Sequence, residues 1–321
     1  MNVLDLFCGC GGSSQGFLKA NYNVLAGIDN WGHAIESYKE NHTNSKGVVK
    51  DLTKYSPAEF SGDYKIPKGK IDVLIGSPPC QGMSIGGRRD PKDPRNSLFM
   101  EYVKYLDFYN PKAFLMENVI GLLSMKNAKG DKMVDIIMSY FDKNYNTKIF
   151  KLYASDYGVP QNRRRVIIIG YRKDLNITPS EPVKPNNIKS VSDRPAVKTI
   201  LLNKSAVDKK YFLSQRAIDG INARREKMKN KKFGFGAQFL NPDKPSYTIP
   251  ARYWKDGYDA LVRYSDNDMR RLTELELRRI QSFPDNYILK GNKKDVVMQI
   301  GNAVACDFAY HLAKHIETEL S

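Results

Sequence analysis

Along the first half of the chain, short apolar runs alternate with stretches whose apolar positions recur every three or four residues. VLDLF (3–7) precedes 13–20, NVLAGI (23–28) precedes 32–40, and DVLIG (72–76) precedes SLFMEYVKYLDF (97–108). AFLMENV (113–119) then precedes MVDIIMSYF (133–141), and RRVIIIG (164–170) closes the series. Short apolar runs bounded by turn residues suit strands buried on both faces, whereas helical spacing suits the amphipathic elements that cover them. The alternation predicts repeated βα units around a parallel sheet, whose ligands sit at the carboxyl ends of the strands.

The first predicted strand begins almost at Met1, so a later segment must cover its neighbouring face. In AVACDFAYHLAKHIETEL (303–320), Val304, Phe308, Leu312 and Ile316 recur every four residues as one helical stripe suited to that role. Between Tyr171 and about Tyr264 the rhythm stops, and Pro, Asn and Lys become common, as in NITPSEPVKPNNIKS. The expected organisation is a discontinuous catalytic domain (1–171 and 269–321) interrupted by a small lobe (172–268).

Composition narrows the class. The 321 residues, 41% hydrophobic and 27% charged, suit a globular protein, and no apolar run approaches a membrane-spanning length. The start MNVLDLFCGCGG has neither a basic leader nor a cleavage-type segment, so a cytoplasmic protein is expected; a monomer is expected as well. Cys8, Cys10, Cys80 and Cys306 lack paired CxxC spacing, and the histidines lack motif spacing, so reduced thiols and no metal site are expected. The formal charge of +16 is concentrated: residues 161–232 hold 19 Lys and Arg against 6 Asp and Glu. Such an excess suits a polyanionic partner, although INARREKMKNKK read alone fits a solvated helical face equally well.

Several residues carry candidate chemistry. Gly9-Cys10-Gly11-Gly12 follows the first strand, and Asp29 follows the second, where an acid can bind ribose hydroxyls. This suits an adenosine-containing cofactor; Ser14 stands where a nicotinamide fingerprint wants its third glycine, and the cluster alone also fits a simple turn. DVLIG runs into Ser77-Pro78-Pro79-Cys80-Gln81-Gly82, where two prolines fix the backbone before a thiol. That rigidity serves a nucleophile held at a set angle, and a structural cysteine is the competing reading. Glu117-Asn118 ends an apolar strand, as a functional carboxylate or a helix cap. Gln161, Arg163 and Arg165 alternate along an extended segment and line a cleft or an edge.

Taken in order, these pieces resemble the C5 cytosine-specific DNA methyltransferase family, of the bacterial restriction-modification type. DLFCGCGGSSQGF is similar to its cofactor loop, GSPPCQG to its nucleophile loop, ENV to its glutamate motif and QNRRR to its arginine motif; RRLTELELRRIQSFP and QIGNAV match its domain-joining and closing motifs. The resemblance implies a Rossmann-like α/β methyltransferase fold with a mixed, mostly parallel sheet and an inserted target-recognition lobe. It implies S-adenosyl-L-methionine as cofactor, double-stranded DNA as partner and a cognate restriction endonuclease acting on the same site. Cys80 is then the nucleophile, with Glu117, Arg163 and Arg165 completing the catalytic set.

By the same resemblance, Phe7, Gly9, Cys10, Gly12, Asp29, Asn30, Trp31, Asp51, Leu98 and Asn302 surround the cofactor. Asp29 meets the ribose and Asp51 the adenine amino group. The family often has Glu followed at once by an aromatic, where this chain has Asp29-Asn30-Trp31; Met83 and Ser282 stand where Phe and Gly are common. The segment QGMSIGGRRDPKDPR is expected to close over DNA, with Gln81, Ser84, Arg88 and Arg89 as contacts. Gln161, and Thr248 and Arg252 in PSYTIPARYWKDG, are further DNA contacts. The lysines of 227–232 would fix register on the backbone. Two alternatives stand beside this reading: a transfer-RNA cytosine-5 methyltransferase, disfavoured because Tyr247-Thr248-Ile249 replaces that branch's Cys-Phe-Thr segment, and a catalytically silent DNA-binding homologue.

Overall fold

The computed structural model describes residues 1–79, 98–127, 129–228 and 237–321. β1 (Asn2–Leu6), α1 (Gly12–Lys19), β2 (Asn23–Asp29), α2 (Gly32–Asn41), β3 (Lys46–Val49), α3 (Pro57–Tyr64) and β4 (Val73–Gly76) form the first part. After residue 97 come α4 (Phe99–Tyr109), β5 (Ala113–Val119), α5 (Met133–Phe141), β6 (Tyr145–Tyr153) and β7 (Arg164–Arg172). The seven strands lie side by side in the order β3-β2-β1-β4-β5-β7-β6. β1 to β5 pair in parallel, and β7 runs antiparallel to both of its neighbours. The run RRVIIIG is therefore a strand without being another parallel βα unit. Its direction decides the geometry of the site, because its first residues lie beside the last residues of β5.

Two hydrophobic layers sandwich the sheet. Phe60, Tyr102, Tyr105, Phe114 and Phe141 bring α3, α4 and α5 onto one face. On the other, Val3 and Ile75 meet Phe17 of α1 together with Val304, Phe308, Leu312 and Ile316. The last three belong to the final helix, α9 (Cys306–Leu320). α1 and α9 come unusually close at Gly16, where an added Cβ would lie 2.5 Å from both the Cys306 carbonyl oxygen and the Ala309 Cβ. A mid-helix glycine replaced by alanine ordinarily gains about 1 kcal/mol of helix propensity. Here the collision is with backbone as well as side chain, so Gly16→Ala is expected to cost about 1–3 kcal/mol. Urea unfolding of the variant checks this, and a raised midpoint would contradict the close packing.

Beyond β7 the chain runs through short 3-10 turns to α6 (Gln215–Met228) and a two-stranded hairpin of β8 (Leu261–Ser265) and β9 (Asp268–Arg271). α7 (Glu274–Ile280) and α8 (Lys293–Asn302) follow. Val197, Leu240, Ile249, Tyr253 and Val262 of the lobe share one cluster with Leu272, Leu277, Ile280, Val297 and Ile300. A boundary at residue 268 therefore does not coincide with a division of the cores. α7 and α8 complete the lobe's core, whereas α9 covers the sheet.

Candidate active site

The loop after β1 turns sharply through left-handed backbone at Phe7, Gly9 and Gly11, with φ of 55°, 54° and 95°. Its glycines serve different ends. A Cβ at Gly9 would meet nothing within 4 Å, whereas one at Gly12 would lie 2.2 Å from the Val304 carbonyl oxygen, and one at Gly11 would strike His42. Gly9 thus leaves room in front of the sheet, while Gly11 and Gly12 let the loop press against the elements behind it. Asp29, at the end of β2, accepts the Gly9 N–H on Oδ2 and the Trp31 N–H on Oδ1, each at 2.9 Å. Burial raises the Asp29 carboxyl pKa, and these backbone amides oppose the shift. Below the loop, Asp5 accepts from Ser14 Oγ at 2.7 Å, and burial pushes its pKa up to about 7.

The other expected cofactor residues are distributed around this edge. Trp31 is half-buried at the start of α2 and Asn30 is exposed beside it. Asp51 follows β3 and accepts the Thr53 N–H and hydroxyl, at 3.0 and 2.8 Å. Leu98 is the half-buried N-cap of α4, and Asn302 is exposed at the end of α8. Cys10 departs from expectation. Its side chain is buried among Phe283, Tyr287 and Cys306, with Sγ donating to the Gln299 carbonyl at 3.8 Å, so its thiol faces away from any ligand in the loop. Open space over Gly9, an acid at the end of β2 and a second at the end of β3 fit an adenosine-bearing cofactor.

Along the edge from there, β4 leads into Ser77-Pro78-Pro79. Cys80, Gln81, Ser84, Arg88 and Arg89 lie outside the described residues. The approach to Cys80 is held from β5: Asn118 Nδ2 donates to the Pro78 carbonyl at 3.1 Å, and Asn118 Oδ1 accepts the Val119 N–H. The Asn118 contact spans 40 residues and has no local signature in the sequence.

Because β7 is antiparallel, Val119 pairs with Arg165, which brings the arginine run back to the carboxyl end of β5. There the Arg165 Nε lies 2.7 Å from Glu117 Oε1, both side chains at about one-tenth exposure (12% and 9%). The contact is not an aligned hydrogen bond, and among the described residues both atoms are otherwise without a partner. A carboxyl and a guanidinium side by side, with directed capacity to spare, suit a ligand presenting both a basic nitrogen and a carbonyl oxygen.

Gln161, Arg163 and Arg165 do not line one cleft. The strand starts only at Arg164, and the residues before it turn inward. Gln161 is wholly buried and bonded to Gln281 Oε1 and the Ile249 N–H, both at 3.0 Å, which removes it as a direct DNA contact. Arg163 is buried too, donating to the Gly301 and Asn302 carbonyls at 3.1 and 3.3 Å, so it supports the end of α8 rather than touching a reacting group. Burial and the charge of Arg165 push its pKa down to about 9. Thr248 Oγ1 donates to the Asn162 carbonyl at 3.2 Å, placing the segment 245–257 beside the arginine run. Arg252 is half-exposed and paired with Asp259 at 2.9 Å.

The remaining described cysteines make poor nucleophiles. Cys8, Cys10 and Cys306 are buried, and burial raises each thiol's pKa, that of Cys10 to about 12. Among the described residues no group of His, Cys, Asp and Glu is arranged to hold a metal ion, and no helix is long and apolar enough to cross a membrane.

The family model described as C-5 cytosine-specific DNA methylase matches residues 1–318. The chain is 34% identical to Type II methyltransferase M.DdeI of Desulfomicrobium norvegicum, over 98% of this chain and 88% of that protein. It is 33% identical to Type II methyltransferase M.FnuDI of Fusobacterium nucleatum, over 100% and 95% of the two chains. Among solved structures, a prophage-encoded E. coli protein described as a DNA modification methyltransferase superposes with a TM-score of 0.76 at 25% identity, covering 100% of this chain and 99% of that one.

Proposed function

The chain belongs to the C-5 cytosine-specific DNA methylase family and is an S-adenosylmethionine-dependent DNA cytosine-5 methyltransferase of the type II restriction-modification kind. From that premise we propose that it acts on an extruded cytosine through a covalent adduct with Cys80. The observation that carries this reading is the Glu117–Arg165 pair beside the Pro-Pro approach to that cysteine.

Carbon-5 of cytosine is a poor nucleophile until the ring is activated. Addition of the Cys80 thiolate to carbon-6 breaks the carbon-5–carbon-6 double bond and sends its electrons toward carbon-5, with negative charge spreading to ring nitrogen-3. Glu117 meets that nitrogen with a proton, and Arg165 meets the ring carbonyl oxygen, so the pair stabilises charge where it develops. When bound, S-adenosylmethionine supplies an electrophilic methyl group on a positive sulfonium. Gly9 leaves space for it, and Asp29, Asp51, Trp31, Leu98 and Asn302 are the side chains proposed to hold it.

Inside a duplex the target ring is out of reach, so it must leave the stack at a cost of a few kcal/mol. The segment 81–95 is proposed to close over it, with Ser84, Arg88 and Arg89 on the DNA, while Thr248 and Arg252 stand beside the extruded nucleotide. The catalytic unit is proposed to comprise 1–171 and the return of α9, with the lobe reading sequence and a cognate endonuclease sharing its site.

Purified protein incubated with S-adenosylmethionine and either genomic duplex DNA or transfer RNA tests the substrate. Bisulfite sequencing is expected to show methylcytosine at one short duplex sequence and none above background in the RNA. Equal or greater modification of transfer RNA would overturn the assignment.

A further inference from the structure

The buried glutamines form a directional chain that the chemistry above leaves unused. The Ile249 N–H donates to Gln161 Oε1 at 3.0 Å, Gln161 Nε2 donates to Gln281 Oε1 at 3.0 Å, and Gln281 Nε2 donates to the Ile300 carbonyl at 2.8 Å. Gln161, Gln281, Ile249 and Ile300 are all wholly buried. The polarity is not arbitrary: a backbone N–H at one end can only donate and a carbonyl at the other can only accept, so both amides are fixed in one orientation.

Each end of this chain rests on a different part of the site. Ile249 follows Thr248 in the recognition segment, which is further tied to the arginine run by the Ser246–Pro160 and Asn162–Ser246 backbone bonds, both 2.9 Å. The stretch 299–304 rests on the cofactor loop, through Cys10 Sγ on the Gln299 carbonyl and through Gly12 against the Val304 carbonyl. Its other side touches the recognition segment directly, since a Cβ at Gly301 would lie 2.6 Å from the Ala251 backbone. Arg163 holds the same stretch by the carbonyls of Gly301 and Asn302. One stretch is thus wedged between the loop that would hold the cofactor and the segment that would meet the DNA.

We propose that Gln161 and Gln281 are positioning residues through which cofactor binding and recognition-segment placement are coupled. Binding at the cofactor loop sets the position of the end of α8 and the residues that follow it (299–304); that segment fixes Gln281, Gln281 fixes Gln161, and Gln161 holds the Ile249 amide so that Thr248 stands in register with the arginine run. By reciprocity, DNA held on the recognition segment raises affinity at the cofactor loop by the same factor. The proposal rests on the methyltransferase reading and adds a mode of regulation to it.

The test measures affinity for a duplex bearing the bisulfite-mapped sequence, with and without S-adenosylhomocysteine, in the wild type and in Gln281→Met. Methionine keeps the volume and removes the hydrogen bonds. The wild type is expected to bind DNA at least about fivefold more tightly with S-adenosylhomocysteine present, and Gln281→Met to reduce that factor to near one while retaining its affinity for S-adenosylhomocysteine alone. A general loss of packing would weaken binding without abolishing the ratio, so an unchanged ratio in the variant overturns the proposal. A wild type that binds neither ligand would instead overturn the methyltransferase reading, and one that binds both without coupling would overturn only the relay. Should Gln281→Met fail to fold, hydrogen exchange on the wild type decides the matter. S-adenosylhomocysteine without DNA is expected to slow exchange at the Ile249 amide, and no change there overturns the relay.

Discussion

Cys80→Ser is expected to lower methyl transfer to duplex DNA by at least about a thousandfold while leaving affinity for S-adenosylhomocysteine within a few-fold of wild type. A serine hydroxyl is far less acidic than a thiol and a weaker nucleophile toward carbon, so it reaches the same position without adding to carbon-6. The other described cysteines offer no substitute: Cys8, Cys10 and Cys306 are buried, with thiol pKa values raised by that burial. The same chemistry permits a direct observation. In an oligonucleotide carrying 5-fluorocytosine at the target, methyl transfer leaves fluorine where a proton must depart, so the sulfur–carbon bond persists. Mass spectrometry of the wild-type complex should place the adduct on Cys80 and find none in Cys80→Ser. An adduct on another residue, or a serine variant with near wild-type turnover, would remove Cys80 from the mechanism.

Much of this arrangement is legible along the chain because the elements that build the sheet centre are self-contained. VLDLF, DVLIG and AFLMENV announce β1, β4 and β5 by apolar content alone, since strands covered on both faces have no polar side to show. The edge strands are less visible for the converse reason. β3 has only four residues, and β6 interleaves Lys148 and Lys151, both exposed, with its buried Phe150 and Leu152. Strand direction is likewise absent from RRVIIIG, whose apolar run is the same whichever way it enters the sheet. In the site, Glu117 and Arg165 carry recognisable motifs, but the inward turn of Gln161 and Arg163 depends on residues 88 to 139 positions later. Ser282 has a physical account: it adopts left-handed backbone at φ 54°, where glycine is unstrained, and its hydroxyl accepts the Asp307 N–H at the start of α9.

Arg270 and Glu276 share a comparable remoteness from local pattern, and their separation is expected to have the largest effect on stability. Both side chains are completely buried. The guanidinium donates to both carboxylate oxygens at 2.8 Å and to the Tyr264 hydroxyl at 2.9 Å. Glu276 also accepts the Thr273 N–H and the Leu202 N–H, at 2.8 and 2.9 Å, so one carboxylate joins the hairpin β8–β9, the N-terminus of α7 and a lobe segment 74 residues earlier. Removing one partner strands a charge in the interior, which costs about 3–5 kcal/mol. Arg270→Met and Glu276→Leu should therefore each lower the urea midpoint sharply. The double variant should recover a large part of the loss, because no lone charge remains and the two apolar side chains can pack. A single variant within about 1 kcal/mol of wild type would show that the pair is not isolated from solvent. The consequence extends beyond stability: α7 ends at Ile280, immediately before Gln281, so a lobe loosened at Arg270 is expected also to loosen the Gln281 end of the proposed relay.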